Sequence, residues 1–398
     1  MHIRQRHQHV NVITKLGVFY LFLSIGVSVA TTIWSVYLNS FLHNTSLVGF
    51  LTSFFMLVEI VSYLFLIPVI EKSSKVKMLL LSLGFFAASY LLFSIFTSVY
   101  LVIILGTFIS IVTSLRVTLF GLIVRDETED ENVSRNEGIM YALLNSAWMV
   151  GPLIAGYIAK VSGFKSVFFL SFAFILFSIF AFSIFRIKDE RKNKNIDKNV
   201  LAVVLEFFRH RGRVITYFLS IAVNFWWAFI YIYMPIRIVN VLHSPVVLGI
   251  FLAAVSAPLI FCDYIFGKLA GKKGFKKFFL IGFISLGIIA ISCFFIPDLY
   301  IILGLLVLAS FSVSMIEPTT DAYFFDIVEE EERDKYYGVY TTSGNIGNLV
   351  GSFPAAILLL VLPFNTLFLF FGIPMLILAF FVLKIEDSYE YEKKKEKK

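Results

Sequence analysis

Two carboxylates stand inside an otherwise apolar stretch of this chain, Glu317 and Asp321 within Leu299–Phe325. They are four residues apart, so on a helix they share one face with Ser310 and Ser314. Pro318 between them has no N–H to give to the helix and is expected to kink it. With Asp326 as the edge of the stretch, Glu317 lies nine residues in, about 14 Å at 1.5 Å per residue. A hydrocarbon core is about 30 Å thick, so that depth is close to its centre. An ionisable side chain there is a functional candidate: it can carry a proton. The competing reading is a structural hydrogen-bond network between helices. Asp321, about 8 Å deep, suits a cytoplasmic gate.

Arg116 is the basic counterpart, inside Leu101–Val124. Shifted by 200 residues it meets position 316, hence the depth of Glu317. A charge pair between the two is one expectation; a local partner that only fixes helix contacts is the other. Glu59, near the middle of Val48–Ile70, is either a second proton site, a partner for Arg116, or a neutral carboxyl bonded to a neighbouring helix. Asn224, Trp226, Trp227 and Tyr231 fall together in Val214–Met234. They suit an aromatic wall for a substrate, or lipid and helix contacts. Adjacent tryptophans point to different faces, so one of them, taken as Trp227, would line a site.

The elements that must hold these residues are membrane helices. Of the 398 residues, 59% are apolar and 15% charged, with 46 phenylalanines. Ordinary soluble chains carry about 25% charged residues. This composition excludes a disordered chain, a disulfide scaffold and an ordinary cytosolic enzyme. Cys262 and Cys293 sit in apolar runs and say nothing of redox compartment. Twelve runs approach the roughly 20 residues a membrane helix needs: Leu16–Leu38, Val48–Ile70, Met78–Phe96, Leu101–Val124, Gly138–Ala159, Ser166–Phe185, Val214–Met234, Val246–Phe266, Phe278–Ile296, Leu299–Phe325, Val339–Leu362 and Thr366–Leu383. If the runs alternate, thirty of the 34 lysines and arginines fall on one side. The positive-inside rule then makes that side, and both termini, cytoplasmic in the plasma membrane. The net charge of +7 is explained as topology, and no nucleic-acid partner is expected.

Written against itself at an offset of 200, the chain shows eleven identities over residues 126–168, among them Asp126/Asp326, Gly138/Gly338, Asn145/Asn345 and Gly151/Gly351. Ordinary residue usage would give about three. Six helices per repeat make the two halves parallel, a transporter architecture. The expected fold is all-α, twelve transmembrane helices in two parallel six-helix repeats. Residues 1–185 form the first bundle, 186–213 a cytoplasmic linker and 214–398 the second bundle with a charged tail. Val200, Leu201, Val204, Leu205 and Phe208 give the linker an amphipathic helix, expected to lie on the membrane. The acidic stretches Asp126–Glu137 and Glu329–Asp334 either pair with the basic loops at Lys72 and Lys272 or are solvated loops with no role.

This pattern resembles the major facilitator superfamily over nearly the whole chain. Gly267-Lys-Leu-Ala-Gly271-Lys-Lys-Gly274 is similar to the family's signature between spans eight and nine, with Gly271 in place of the usual Asp. Its first-half counterpart is worn down to Val69-Ile-Glu71-Lys72. Ala147-x-x-x-Gly151-Pro152-x-x-Ala155-Gly156 resembles the span-five motif of drug/proton antiporters, with alanine for two glycines. Arg116 resembles their span-four arginine, although the following glycine is Gly121, five residues on instead of three. The resemblance implies a secondary active transporter working by alternating access, moving a small organic molecule with protons, and an exporter. Rival readings are a proton-coupled nutrient importer and a non-transporting receptor or scaffold. The stripes Ala147, Gly151 and Ala155, and Gly344, Gly347 and Gly351, suit close helix contacts, static or sliding. No enzyme motif, metal-ligand cluster or nucleotide loop is present, so neither catalysis nor a cofactor is expected. The expected partners are substrate, protons and the lipid bilayer, and the expected state is a monomer.

Overall fold

Long apolar runs with few breakers propagate as helix, and in a computed structural model of the chain they do so almost throughout. It describes residues 2–126, 133–185, 200–329 and 332–383. No strand occurs among the described residues. The helices are α1 (His2–Leu42), α2 (Thr45–Lys72), α3 (Lys75–Ile95), α4 (Val99–Asp126), α5 (Val133–Phe185), α6 (Val200–Arg209), α7 (Arg211–Ala228), α8 (Met234–Leu242), α9 (Pro245–Lys273), α10 (Phe275–Phe294), α11 (Leu299–Ile327), α12 (Arg333–Val361) and α13 (Thr366–Val382). Among the described residues, ten helical segments are long and apolar enough to cross a membrane, and α13 is a shorter apolar helix. This is a multi-pass membrane protein.

Three details depart from the sequence expectation. The break expected after Ala159 is instead one residue inside α5: Gly163, at φ 79° and ψ 174°, turns two helical segments that otherwise run on. That backbone region favours glycine, which has no Cβ to clash. The second detail lies between α7 and α8, where Phe229–Tyr233 forms a π-helical turn. Pro235 cannot donate a helical hydrogen bond, and the wider turn lets Met234 bond back to Phe229 instead. The third is α11, which runs as one helix through Pro318.

By internal contacts the chain divides into two units. The first comprises residues 1–43, 54–194 and 235–253, and the second 44–53, 195–234 and 254–398. In the first unit α5 packs along α1, and α3 lies on α4 and α5. Gly151 makes the α1–α5 approach possible, since a Cβ there would stand 2.7 Å from Ser28 Cβ. A knot of rings fills this unit: Phe168 lies 4.7 Å from Tyr37 and 5.3 Å from Phe93, centroid to centroid, with Trp34 and Tyr90 around it. Gly156 meets Gly249 of the segment 235–253, where a Cβ would be 3.0 Å from the Gly249 Cα.

In the second unit α7 packs on α12 and α11, and α10 on α11 and α13. Gly351 lies against Phe225 and Ala228, and Gly347 against Ile221 and Asn224. Gly49, of the segment 44–53, lies against Ala356, and Ser53 hydrogen-bonds Ser352 at 2.7 Å. Local features recur at the 200-residue offset. His43 and His243 both have positive φ, 47° and 49°. Asn44 and Ser244, next in line, each accept a backbone N–H from the following helix turn. The linker 186–199, the acidic residues 127–132 and 330–331, and the tail 384–398 lie outside the described residues, and with them most of the acidic-loop and tail expectations. The side chains of Glu71 and Lys72 do so as well.

Candidate functional site

In the second unit several polar side chains meet around α11. Glu317 and Asp321 stand one turn apart on it, partly buried, above a stripe of buried Ser310 and Ser314. Both serines turn their hydroxyls back onto α11, to Leu306 and Phe311 carbonyls, and so leave the carboxylates to other helices. Each carboxylate has a donor from a different neighbour. From α7, Trp227 Nε1 donates to Glu317 Oε2 at 3.2 Å. From α12, Tyr340 OH donates to Asp321 Oδ1 at 2.7 Å.

The sequence reading missed the third carboxylate, Asp263 on α9. It lies within electrostatic range of both Glu317 and Asp321. Its placement follows from helix periodicity. Gly267, four residues on and therefore on the same face, rests on Pro318 of α11; a Cβ there would be 3.6 Å from the proline Cβ. Ser256, seven residues before Asp263, is on that face too and hydrogen-bonds Tyr231. The buried Oδ1 of Asp263 has no hydrogen-bond partner among the described residues. The signal was a lone charge in the apolar run Val246–Phe266. Among the described residues no His, Cys, Asp and Glu set could hold a metal ion.

The two tryptophans separate as their adjacency requires. Trp226 is fully buried against Phe229, whereas Trp227 faces Glu317 and lies 5.5 Å from the Tyr231 ring. Asn224 does not join them. Its amide bonds back to Ser220, and it faces Gly344 and Gly347 at the α7–α12 contact. Gly274 opens α10 at φ 95°, a turn that glycine permits.

In the first unit, Arg116 on α4 lies over the Phe86 ring at 5.4 Å, within electrostatic range of Tyr20 and Tyr90. Its Nε has no hydrogen-bond partner among the described residues. Glu59 is one helix away on α2, where its backbone carbonyl accepts from Ser114 at 3.0 Å. Pro152 lies inside α5 without ending it, and its carbonyl faces Gly249.

Carboxylates with donors from neighbouring apolar helices give this multi-pass membrane protein a polar site among its helices. The chain belongs to the Major Facilitator Superfamily, whose sequence profile matches residues 16–257 and 217–398. That membership makes it a transporter rather than an enzyme. No curated protein matches the sequence. Solved structures match the fold at low identity. A POT family transporter in complex with a thioalcohol-conjugated peptide superposes at TM-score 0.77, with 11% identity over 94% of this chain and 95% of that one. The nucleoside transporter NupG gives 0.74 and 12%, over 94% and 98%. A mutant peptide transporter POT in complex with alafosfalin gives 0.70 and 14%, over 94% and 93%.

Proposed function

We propose that this protein is a secondary active transporter that moves a small organic molecule by alternating access, driven by protons. The observation that carries the reading is the carboxylate group Asp263, Glu317 and Asp321, with Trp227 and Tyr340 as donors and an Asp263 oxygen still free to bond. Three carboxylates close together in an apolar surrounding cannot all stay ionised cheaply, so at least one holds and releases a proton. Trp227 and Tyr231 add flat apolar surface beside them, suited to a ring or methylene chain of a substrate. A proton bound more tightly in one state than the other biases the equilibrium between them, which is what coupling needs.

The membrane layout is part of the proposal. With α5 divided at Gly163 and α13 counted as a crossing, the chain spans twelve times in two six-helix repeats, 1–185 and 214–398. Both termini and the linker 186–213 lie in the cytoplasm, the protein works as a monomer in the plasma membrane, and the span-five motif around Gly151, Pro152 and Gly156 points to export. A peptide- or nucleoside-like solute is the second reading of the substrate, favoured by the structural neighbours.

The test is solute movement in proteoliposomes with a pH dye sealed inside. Dipeptides, nucleosides and aromatic amines are offered in turn under an imposed pH gradient. One class is expected to move together with protons. Movement of a solute that neither follows the gradient nor shifts internal pH would overturn proton coupling.

A further inference from the structure

The linker helix α6 is seated in the second unit rather than merely laid beside it. Its inner face is Val203, Val204 and Phe207, while Leu205 and Phe208 stay more than a third exposed. Phe207 is fully buried, with ring centroids 5.8 Å from Tyr217 of α7 and 6.0 Å from Tyr336 of α12. The same core cluster holds Phe324, Val328, Val339 and Tyr340.

Polar contacts reinforce the seat. Lys335 Nζ and Tyr336 OH both donate to the Glu206 carboxylate, each at 2.7 Å. Arg213 donates to the Glu206 carbonyl at 3.0 Å and lies 4.0 Å over the Tyr336 ring. The Lys335 ammonium first, then the Tyr336 hydroxyl, hold the Glu206 carboxyl below the usual carboxylate range. This grip is therefore complete above that range and is lost only as the pH falls through the lowered value.

One helical turn links the seat to the carboxylates. Tyr336 and Tyr340 are four apart, on one face of α12. Tyr336 is gripped by Glu206, and Tyr340 donates to Asp321 at 2.7 Å while stacking on Phe324 of α11 at 4.3 Å. The α12 segment that α6 pins is thus the segment that reaches Asp321.

We propose that α6 is a positioning element for Asp321: seated by Phe207 and Glu206, it fixes Tyr340 and with it the hydrogen bond to the Asp321 carboxylate. The role in coupling rests on the reading of Asp321 as part of the proton site; the positioning itself does not. Among the described residues, the other titratable carboxyls facing Asp321 are Asp263 and Glu317.

The experiment reads Asp321 directly. The full chain in nanodiscs is treated with dicyclohexylcarbodiimide, which attacks protonated carboxyls, and labelling of the Asp321 peptide is followed by mass spectrometry at fixed neutral pH. A donated hydrogen bond favours the ionised carboxyl, so its loss exposes more of the protonated form. Tyr340→Phe, Phe207→Ala and Glu206→Gln are each expected to raise labelling about threefold to tenfold. In the Tyr340→Phe background, Phe207→Ala and Glu206→Gln should add nothing. Labelling at the parent level in Glu206→Gln and Phe207→Ala, or a full further increase in the Tyr340→Phe background, would overturn the proposal. So would a silent Tyr340→Phe. Glu206→Gln changes a solvent-side contact, so the test survives a Phe207→Ala that fails to fold. Failure of the proton-site reading would show separately, as transport whose pH dependence ignores the carboxylates while the labelling result stands.

Discussion

Trp227 and Tyr340 hold the two α11 carboxylates from opposite neighbours, and each supplies one hydrogen bond that a single substitution removes. Trp227→Phe keeps a ring beside Tyr231 and deletes the donor at 3.2 Å from Glu317. A hydrogen bond to a charged group contributes roughly 1.5–3 kcal/mol, so a long one belongs at the low end. Trp227→Phe should move the pH midpoint of transport upward by about one unit, and should have no further effect in a Glu317→Gln background. A pH titration of solute uptake by the four variants of that cycle checks it, and additive shifts would contradict it. Glu317, Asp321 and Trp227 were legible in the sequence because a charge in an apolar run is conspicuous and helix spacing says which residues share a face. Asp263 is equally conspicuous in kind. What brings it to the pair is the meeting of Gly267 with Pro318, a tertiary contact that no spacing within one helix reports. Asn224 had two readings, a substrate wall or a helix contact, and no spacing chooses between them. Its polarity suggested a site, but the glycines of α12 make that face of α7 a helix contact.

At the scale of elements, glycines decide how closely helices approach. A Cβ at Gly351 would stand 2.8 Å from Ala228 Cβ and 2.9 Å from the Phe225 carbonyl. Overfilling a tight contact costs roughly 1–3 kcal/mol, and backbone on one side leaves little room to yield. Gly351→Leu, and Gly151→Leu against Ser28 in the first unit, should therefore lower the yield of folded protein, read by fluorescence size-exclusion chromatography and thermal melting. Gly121→Ala and Gly271→Ala, which meet nothing within 4 Å, should leave both unchanged. Parent-like melting of Gly351→Leu would mean the stripe is loose. Gly163→Ala should cost about 1–3 kcal/mol whatever the space, because φ 79° with ψ 174° is a region essentially reserved for glycine. The stripes and the helix positions were readable from small-residue spacing and run length. The π turn at Phe229–Tyr233 was not: Pro235 signals a disturbed helix but not whether it kinks, breaks or widens. The linker helix was legible as amphipathic, yet hydrophobicity alone made it a membrane-surface helix. Its seat needs Phe207, Tyr217 and Tyr336 to be brought together by the fold.

At the scale of the whole molecule, the family and the transporter class agree with the apolar, charge-poor composition. The orientation drawn from the charges makes its own prediction. Single cysteines at Ser40 and Asn365 should react with an impermeant maleimide from outside the cell, and one at Asn195 only after permeabilisation; external reaction at Asn195 would overturn the twelve-span layout. Under the proposed mechanism, protonation at Glu317 biases the two states of the transporter. The most direct measurement places single reporter cysteines on either membrane face and follows their accessibility against pH, in parent protein and in Glu317→Gln, which mimics the protonated carboxyl. The expected result is an accessibility that changes with pH in the parent and stays fixed in Glu317→Gln, at the value the parent reaches in acid. The contradicting result is a Glu317→Gln protein, folded and inserted, whose accessibility follows pH as the parent does.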